Sequence, residues 1–339
     1  MNFGTVLKML PAFPKMGRLS NMSCNDYADQ FEHPGIRRLL RIMPDEYSAV
    51  SLVATLATLD IGDGGYPEGG SLAMVDRMKK TFEDLGGKLL LATNVRKVNI
   101  ENGAVTGVTL ENDTLTADAV IVTQETIAAL DRLFDTPLSD TWLADIRNNT
   151  KPAVCTFIGI GIRAEIPWSP VYAWIPEQPV TYAGMTIPEM CFNNYSQYQY
   201  APEGCTTLTT ALMGDTYDFW KKAKEEGRYE EEKRALADQI SRVICNKYPQ
   251  AQGNIEVIDI ATPLTYERYT GAYHGSWMSI MGAGEKMTAY PGFVKDVSGL
   301  YFAGHRLMSP GGLPVAVDSG RNAAQMACRQ FDVTFRNSL

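Results

Sequence analysis

The 339-residue chain lacks most of the short patterns by which common functional classes are recognised. Its six cysteines, Cys24, Cys155, Cys191, Cys205, Cys245 and Cys328, never stand in a CxxC spacing, and His33, His274 and His305 are far apart. That combination excludes a zinc-type ligand set read from spacing, so no metal site is expected. Neither GxSxG nor GxxxxGK[ST] occurs, which leaves serine-hydrolase and nucleotide-triphosphatase chemistry without an anchor. No window approaches the roughly 18 to 20 unbroken apolar residues of a spanning helix. The apolar run from Tyr47 to Leu59 is too short, is followed by Asp60, and reads as a buried helix. Basic clusters are also missing: 31 Lys and Arg face 39 Asp and Glu, and a net charge of -8 gives a polyanion no general attraction. Nucleic acid is therefore not an expected partner. Scattered thiols without a cationic, apolar leader segment lead to the expectation of a reducing cytoplasm.

What is present is a chain built to bury a core. At 45% hydrophobic residues it is long enough for one large or two intimate domains. Residues 25 to 59 read as short helices, with Asn25 as N-cap of DYADQF and a break at Pro34-Gly35 before IRRLLRIM. IGDGGYPEGG is a loop by composition. Ser71 is then expected to cap a helix whose Leu72, Val75, Met78, Phe82 and Leu85 share one face, ended by Gly86-Gly87. A β-rich stretch follows, beginning with the apolar run Lys88 to Leu91. VRKVNI and AVTGVTL flank an Asn102-Gly103 hairpin turn, and TLTADAVIVT ends in an apolar run that suits a parallel sheet buried on both faces.

Beyond Pro137 the chain reads as a second region. A helix is expected over 138–146, and strands over 154–162 (VCTFIGIGI), 171–175 (VYAWI), 205–213 (CTTLTTALM) and 255–263 (IEVIDIATP). TIPEMCFNNYSQYQYAPEG reads as loop. Helices are expected over 217–226 and 229–248, the second burying Leu236, Ile240, Val243 and Ile244 and leaving its EEEKR run in solvent.

The segment with most chemical content is GLYFAGHRLMSPGGLPVAVDSGRNAAQMAC, 299–328. Leu300 to Ala303 reads as a buried strand and Gly304 permits close approach just past it. Pro310-Gly311-Gly312 forms a turn, and a helix beginning near Pro314 offers Val315, Ser319, Asn322 and Ala323 as contact positions. A strand that feeds a glycine turn and a helix N-terminus presents free N–H groups and a positive dipole end, the arrangement that receives a dinucleotide. Yet the usual fingerprint of such proteins, a strand, GxGxxG and an acidic residue about 20 positions on, is missing from MNFGTVLKMLPAFPKMGRLS.

Three blocks resemble the phytoene desaturase and carotenoid isomerase family of flavoproteins, within the wider amine oxidase group. They are GGYPEGGSLAMVDRMKKTFEDLGGKLLLATNVRKVNIENGAVTGVTLENDTLTADAVIVT, TPLTYERYTGAYHGSWMSI and LYFAGHRLMSPGGLPVAVDSGRNAAQMA. The resemblance implies an α/β fold class: a partial FAD-binding Rossmann-like domain with a mixed α+β substrate domain. It divides the chain into 1–60 (helical part of the substrate domain), 61–127 with 291–339 (FAD-binding) and 128–290 (substrate). It implies FAD as cofactor, with the Val95 backbone at the adenine, Gly304 and His305 beside the ribityl and pyrophosphate groups, and Gly312, Leu313, Pro314 and Val315 facing the flavin. The family often carries an acidic residue or Gln where His305 stands, a departure. The family's GxGxxG segment would precede Met1, so another polypeptide or an upstream segment is expected to supply it.

The implied activity is desaturation, saturation or isomerisation of a hydrophobic polyene or isoprenoid-like substrate, with peripheral membrane contact following from that substrate class. Such chemistry needs orientation and a shaped apolar cavity more than a catalytic triad, so no catalytic residue is assigned. Tyr269, Tyr273, His274 and Trp277 are pocket candidates, equally explained as ordinary packing residues. Two other readings stay open: a non-catalytic fragment or subunit that needs a partner chain for FAD, and an amine oxidase-like flavoenzyme.

Overall fold

A computed structural model describes residues 10–41, 47–62, 64–169, 173–198, 200–285 and 287–336. In chain order the helices are α1 (Phe13–Ser20), α2 (Cys24–Ala28), α3 (Pro34–Leu40), α4 (Ala49–Asp60), α5 (Gly70–Asp84), α6 (Thr126–Arg132), α7 (Thr141–Asn149), α8 (Tyr217–Glu225), α9 (Tyr229–Lys247), α10 (Pro263–Thr270) and α11 (Leu313–Gln330). The principal strands are β1 (Val95–Glu101), β2 (Ala104–Leu110), β3 (Thr114–Thr116), β4 (Val120–Val122), β5 (Cys155–Ile162), β6 (Asn193–Asn194), β7 (Thr206–Met213), β8 (Ile255–Ala261) and β9 (Leu300–Phe302). Backbone packing divides them into two units, one comprising 1–65, 89–152 and 277–339, the other 66–88 and 153–276.

In the first unit β1, β2 and β3 form an antiparallel sheet whose first turn is Asn102-Gly103, both residues at positive φ. This is the geometry an Asn-Gly pair adopts most readily. β4 pairs in parallel with β9, Leu300 opposite Val120 and Phe302 opposite Val122. Val122, Leu300 and Phe302 pack with Val98, Trp142 and Ile146 into one core, and the Trp142 indole N–H donates to the Phe293 carbonyl at 2.9 Å. The N-terminal helices belong to this unit through backbone bonds from Ser48 to Met281 and from Gly284 to Ser20.

In the second unit four strands run in the order β6-β7-β5-β8, all antiparallel. Strict alternation along β5 turns Thr156, Ile158, Ile160 and Ile162 into the core, while Gly159 and Gly161 lie on the other face. α9 covers the core face with Leu236, Ile240, Val243 and Ile244, the four residues its periodicity predicts, and Trp220 of α8 is fully buried beside them. The Trp220 indole N–H donates to Thr156 Oγ1 at 3.2 Å.

Several expectations need correction. Ser23, not Asn25, caps α2, because its hydroxyl accepts from the Asp26 N–H. Pro34 opens α3 rather than breaking it: at the first helical position its missing N–H costs nothing, and His33 is the cap. α5 starts at Gly70 with Gly69 in the left-handed conformation, so Ser71 already lies inside the helix. α7 begins only at Thr141, and 263–270 is a helix with a Thr262–Thr265 capping box. Lys88 to Leu91 is not a strand, and Leu89, Leu90 and Leu91 are exposed. The expected 186–204 loop is entered by a short strand over 185–187 and contains two more over 190–191 and 193–194, drawn in by pairing that composition does not reveal. Of the expected strand at 171–175 only Ala173–Trp174 is described as strand; Val171 and Tyr172 lie outside the described residues, as do Ile42 and Met43. Among the described residues, 10–41, 47–60 and 128–152, expected with the substrate region, cluster with 89–127 and 277–336, and 66–88 clusters with 153–276.

Candidate functional site

The carboxyl ends of β4 and β9 lie side by side, and the chain leaving each carries a charged residue inward. Glu125 follows β4 and caps α6, its Oε2 accepting from the Ala128 N–H at 2.9 Å. Arg306 follows β9, and its Nε donates to Glu125 Oε1 at 2.9 Å, with the two side chains only 1% and 3% exposed. The guanidinium also donates to the Met278 carbonyl at 3.1 Å and to Ser279 Oγ at 2.8 Å. A buried ion pair of this kind is tolerable only when further hydrogen bonds support it, and these contacts use three of the guanidinium's five N–H donors.

Around that lock the backbone is shaped by glycine. Gly304 has φ of 148°, and a Cβ there would meet nothing within 4 Å, so open space lies against its backbone. Its N–H donates to Ser319 Oγ at 2.9 Å, and that hydroxyl lies 3.0 Å from the Ala316 carbonyl and 3.2 Å from the Gly304 carbonyl as acceptors. Ser319 therefore ties the strand end to α11. Gly311, at φ of 101°, passes so close to His305 that a Cβ would sit 2.5 Å from the His305 carbonyl oxygen. Gly312 caps α11 at φ of 89°, and the first-turn N–H groups of Leu313 and Val315 have no intrahelical acceptor.

His305 sits between these elements. A ring N–H bonds to the Trp277 backbone, while Nδ1 is buried without a partner. Burial first, and the neighbouring Arg306 charge second, push its pKa down to about 4. At neutral pH it is thus an uncharged imidazole whose Nδ1 lone pair is an unfilled acceptor.

The structure brings Gly304, His305, Gly312, Leu313, Pro314 and Val315 into one strand–turn–helix, with Val315 buried and Leu313 exposed. Val95 begins β1 opposite Leu110, and no hydrogen bond joins it to that turn among the described residues. Of the pocket candidates, Tyr269 is 75% exposed beneath the Arg268 guanidinium, and Trp277 belongs to the first unit whereas the other three belong to the second. Tyr273 and His274 are together: the imidazole is stacked between Tyr273 (centroids 4.2 Å) and Tyr217 (4.3 Å). Among the suggested contact positions on α11, Val315, Ser319 and Ala323 are buried and Asn322 is exposed. Sequence reasoning missed Arg306 and Glu125. The available signal was a charged residue three or four positions after each of two apolar strand runs, Glu125 after Val122 and Arg306 after Phe302.

A turn with open backbone, helix N–H donors and a buried acceptor fits a ligand that brings both hydroxyl donors and a polar, electron-poor ring edge, which FAD does. Comparison with known proteins agrees. Residues 20–328 match the family described as flavin containing amine oxidoreductase. The 1-hydroxycarotenoid 3,4-desaturase of Flavobacterium sp. (strain P99-3) is 23% identical over 347 residues, covering 94% of this chain and 67% of that protein. The chloroplastic prolycopene isomerase of Daucus carota is 23% identical over 281 residues, covering 79% of this chain and 45% of its own length. Among solved structures, cyclohexylamine oxidase from Brevibacterium oxydans IH-35A shares the fold at a TM-score of 0.56 and 16% identity, over 97% of this chain and 76% of that one. An oxidoreductase from Methanosarcina mazei does so at 0.51 and 17%, over 84% and 60%. The chain thus spans less than half the isomerase and about two thirds of the desaturase. With a match over nearly its whole length, the chain belongs to the flavin-containing amine oxidoreductase family, a group of FAD-dependent oxidoreductases.

Proposed function

We propose that the chain is the flavin-facing part of an FAD-dependent oxidoreductase that desaturates, saturates or isomerises a hydrophobic polyene or isoprenoid-like compound. The observation that carries this reading is the 304–315 turn with its buried, unfilled His305 acceptor. The carotenoid desaturase and isomerase among its relatives support the substrate class. When bound, a flavin supplies the hydride acceptor, and this chain's residues supply position. Gly304 and Gly312 let the backbone approach, the first turn of α11 directs N–H groups outward, and Nδ1 of His305 accepts a hydroxyl hydrogen. Arg306 and Glu125 hold the turn in place. By the same reading the Val95 backbone serves the adenine.

A second reading, a subunit completed by a partner chain, is favoured by a specific observation. Leu72, Val75, Met78 and Phe82 on α5 and Leu85 at its C-cap form an apolar stripe, and all five are exposed. Exposed stripes of this kind mark surfaces that another segment covers. The occupant on this reading is the phosphate-binding GxGxxG segment of the family. Membrane contact follows only from the substrate class; among the described residues no helix is long and apolar enough to cross a membrane. The likeness to cyclohexylamine oxidase is one of fold, so an amine substrate is not favoured.

The test is reconstitution. The chain is purified with added FAD, alone and co-expressed with the N-terminal segment of the desaturase relative, and then mixed anaerobically with a polyene. Flavin absorbance in the co-expressed sample and its bleaching by the polyene are expected. Absence of bound flavin in both samples overturns the reading.

A further inference from the structure

The second unit contains a cavity of about 630 Å³ that the flavin reading does not use. Its walls come from two chain segments: Glu165, Pro167 and their neighbours on one side, and Tyr195, Tyr200, Pro202 and Glu203 on the other. These walls are pinned together. The Asn194 side-chain amide donates to the carbonyls of Ile166 at 3.1 Å and Pro167 at 3.3 Å, and its Oδ1 accepts from the Ser196 N–H at 2.9 Å. Thr206, 1% exposed, accepts from the Ile166 N–H and donates to the Ala164 carbonyl, both at 2.8 Å.

Two properties of the lining point to one ligand chemistry. The first is aromatic. Tyr195 and Tyr200 lie 5.8 Å apart at 45°, and belong to a group of four rings with Tyr66 and Tyr198, in which five ring pairs have centroids 5.3 to 6.3 Å apart. The two lining rings are fixed through their hydroxyls, since Tyr200 donates to the Pro67 carbonyl at 3.1 Å and Tyr195 shares a 3.2 Å bond with Thr209 Oγ1. Tyr200 stacks one face on Tyr198, 5.7 Å away at 19°, so these fixed rings offer their remaining π surface and phenol oxygen lone pairs, both of which attract a cation. The second property is charge. Glu165 and Glu203 are the charged residues of the lining, and neither is in an ion pair among the described residues. An anion would meet only repulsion there, and a neutral hydrocarbon would gain nothing from the two carboxylates. A cation with an apolar skin uses both, because its charge is attracted by ring quadrupoles and by the carboxylates while its methyl groups pack on proline and tyrosine.

We propose that this cavity is a binding site for a small organic ammonium ion. The inference stands independently of the flavin reading, since none of these residues belongs to the 304–315 turn. The test uses a pair of probes of the same shape, choline and its uncharged isostere 3,3-dimethylbutan-1-ol, titrated into the full chain by calorimetry and ligand-observed NMR at low ionic strength. Choline is expected to bind about tenfold more tightly than the alcohol. The double variant Glu165→Gln/Glu203→Gln, which alters two exposed side chains outside the core, is expected to remove most of that preference while leaving the alcohol unchanged. Tyr200→Leu is expected to weaken choline several-fold with the carboxylates intact. Equal binding of the two probes, binding of neither, or a preference for choline that survives in the double Gln variant would each overturn the proposal.

Discussion

Two sheets in this protein start from the same raw material, apolar runs of β-branched residues, and end differently. β5 in the second unit is flanked by strands on both edges and roofed by α9, so that Ile158, Ile160 and Ile162 are sealed. β4 and β9 form a two-stranded parallel pair in which Val122, Leu300 and Phe302 are sealed but Ile121 remains 38% exposed. A parallel pair is rarely complete by itself, because parallel sheets bury both faces and extend over several strands. The first sheet is thus sealed along its central strand, whereas the second keeps Ile121 in part exposed while Tyr301 and Ala303 are buried against Ala323 of α11. Stability and function are divided accordingly: the sealed sheet holds the second unit together, and the buried polar lock does the equivalent work behind the turn.

The sharpest way to break this comparison is to remove one member of each device. Trp220→Ala empties the largest fully buried side chain of the second unit and is expected to cost about 3–5 kcal/mol. Arg306→Ala leaves Glu125 buried and unpaired, and is expected to cost a similar 3–5 kcal/mol, now in the first unit. Chemical denaturation followed by hydrogen exchange of each unit separates the two effects. If Arg306→Ala destabilised only the second unit, or neither, the lock would have no structural role. Arg306→Lys keeps the charge but loses the fork of donors to Met278 and Ser279, so an intermediate loss is expected.

How much of this was legible in the sequence follows from the same contrast. Where one periodicity decides burial, as on α9, the buried residues are those the pattern names. The hairpin at Asn102-Gly103 and the parallel apolar strand at 120–122 are likewise written locally. Lys88 to Leu91 has the composition of a strand but no strand beside it, and strand identity requires a partner. The site was legible as backbone, because glycines at 304, 311 and 312 announce close approach. It was not legible as electrostatics. Glu125 and Arg306 are 181 positions apart, and only the parallel register of β4 with β9 brings them together. The stack of Tyr217 on His274 is hidden for the same reason, being a contact between α8 and the turn after α10.

A smaller effect sharpens the account of the turn through pH. The folded pKa of His305 lies near 4, below the ordinary value of 6.5 that the unfolded chain restores. Between those values the unfolded state binds a proton that the folded state refuses, so stability falls as pH drops from about 6.5 to 4, and the loss is complete below that. The upper bound is about 3 kcal/mol. His305→Phe is expected to flatten this part of the pH–stability curve, read by denaturant midpoints at successive pH values. An unchanged slope would mean that the ring is hydrated and not a neutral acceptor.

The smallest expected effect falls on Ser319, the hydroxyl that joins β9 to α11. Ser319→Ala removes the acceptor of the Gly304 N–H and leaves that donor in a part-buried setting, so a loss of about 1–2 kcal/mol is expected. The variant discriminates where the larger ones do not, because it leaves the Arg306 lock and the sheet intact while loosening Gly304 alone. Amide exchange of Gly304 should therefore accelerate well beyond that of Phe302, whose N–H is held by the Gly292 carbonyl at 2.7 Å and does not depend on Ser319. If both amides accelerate together, the strand and the turn open as one cooperative piece. The uncovered edge of the parallel pair would then set the stability of the turn, and the serine would not.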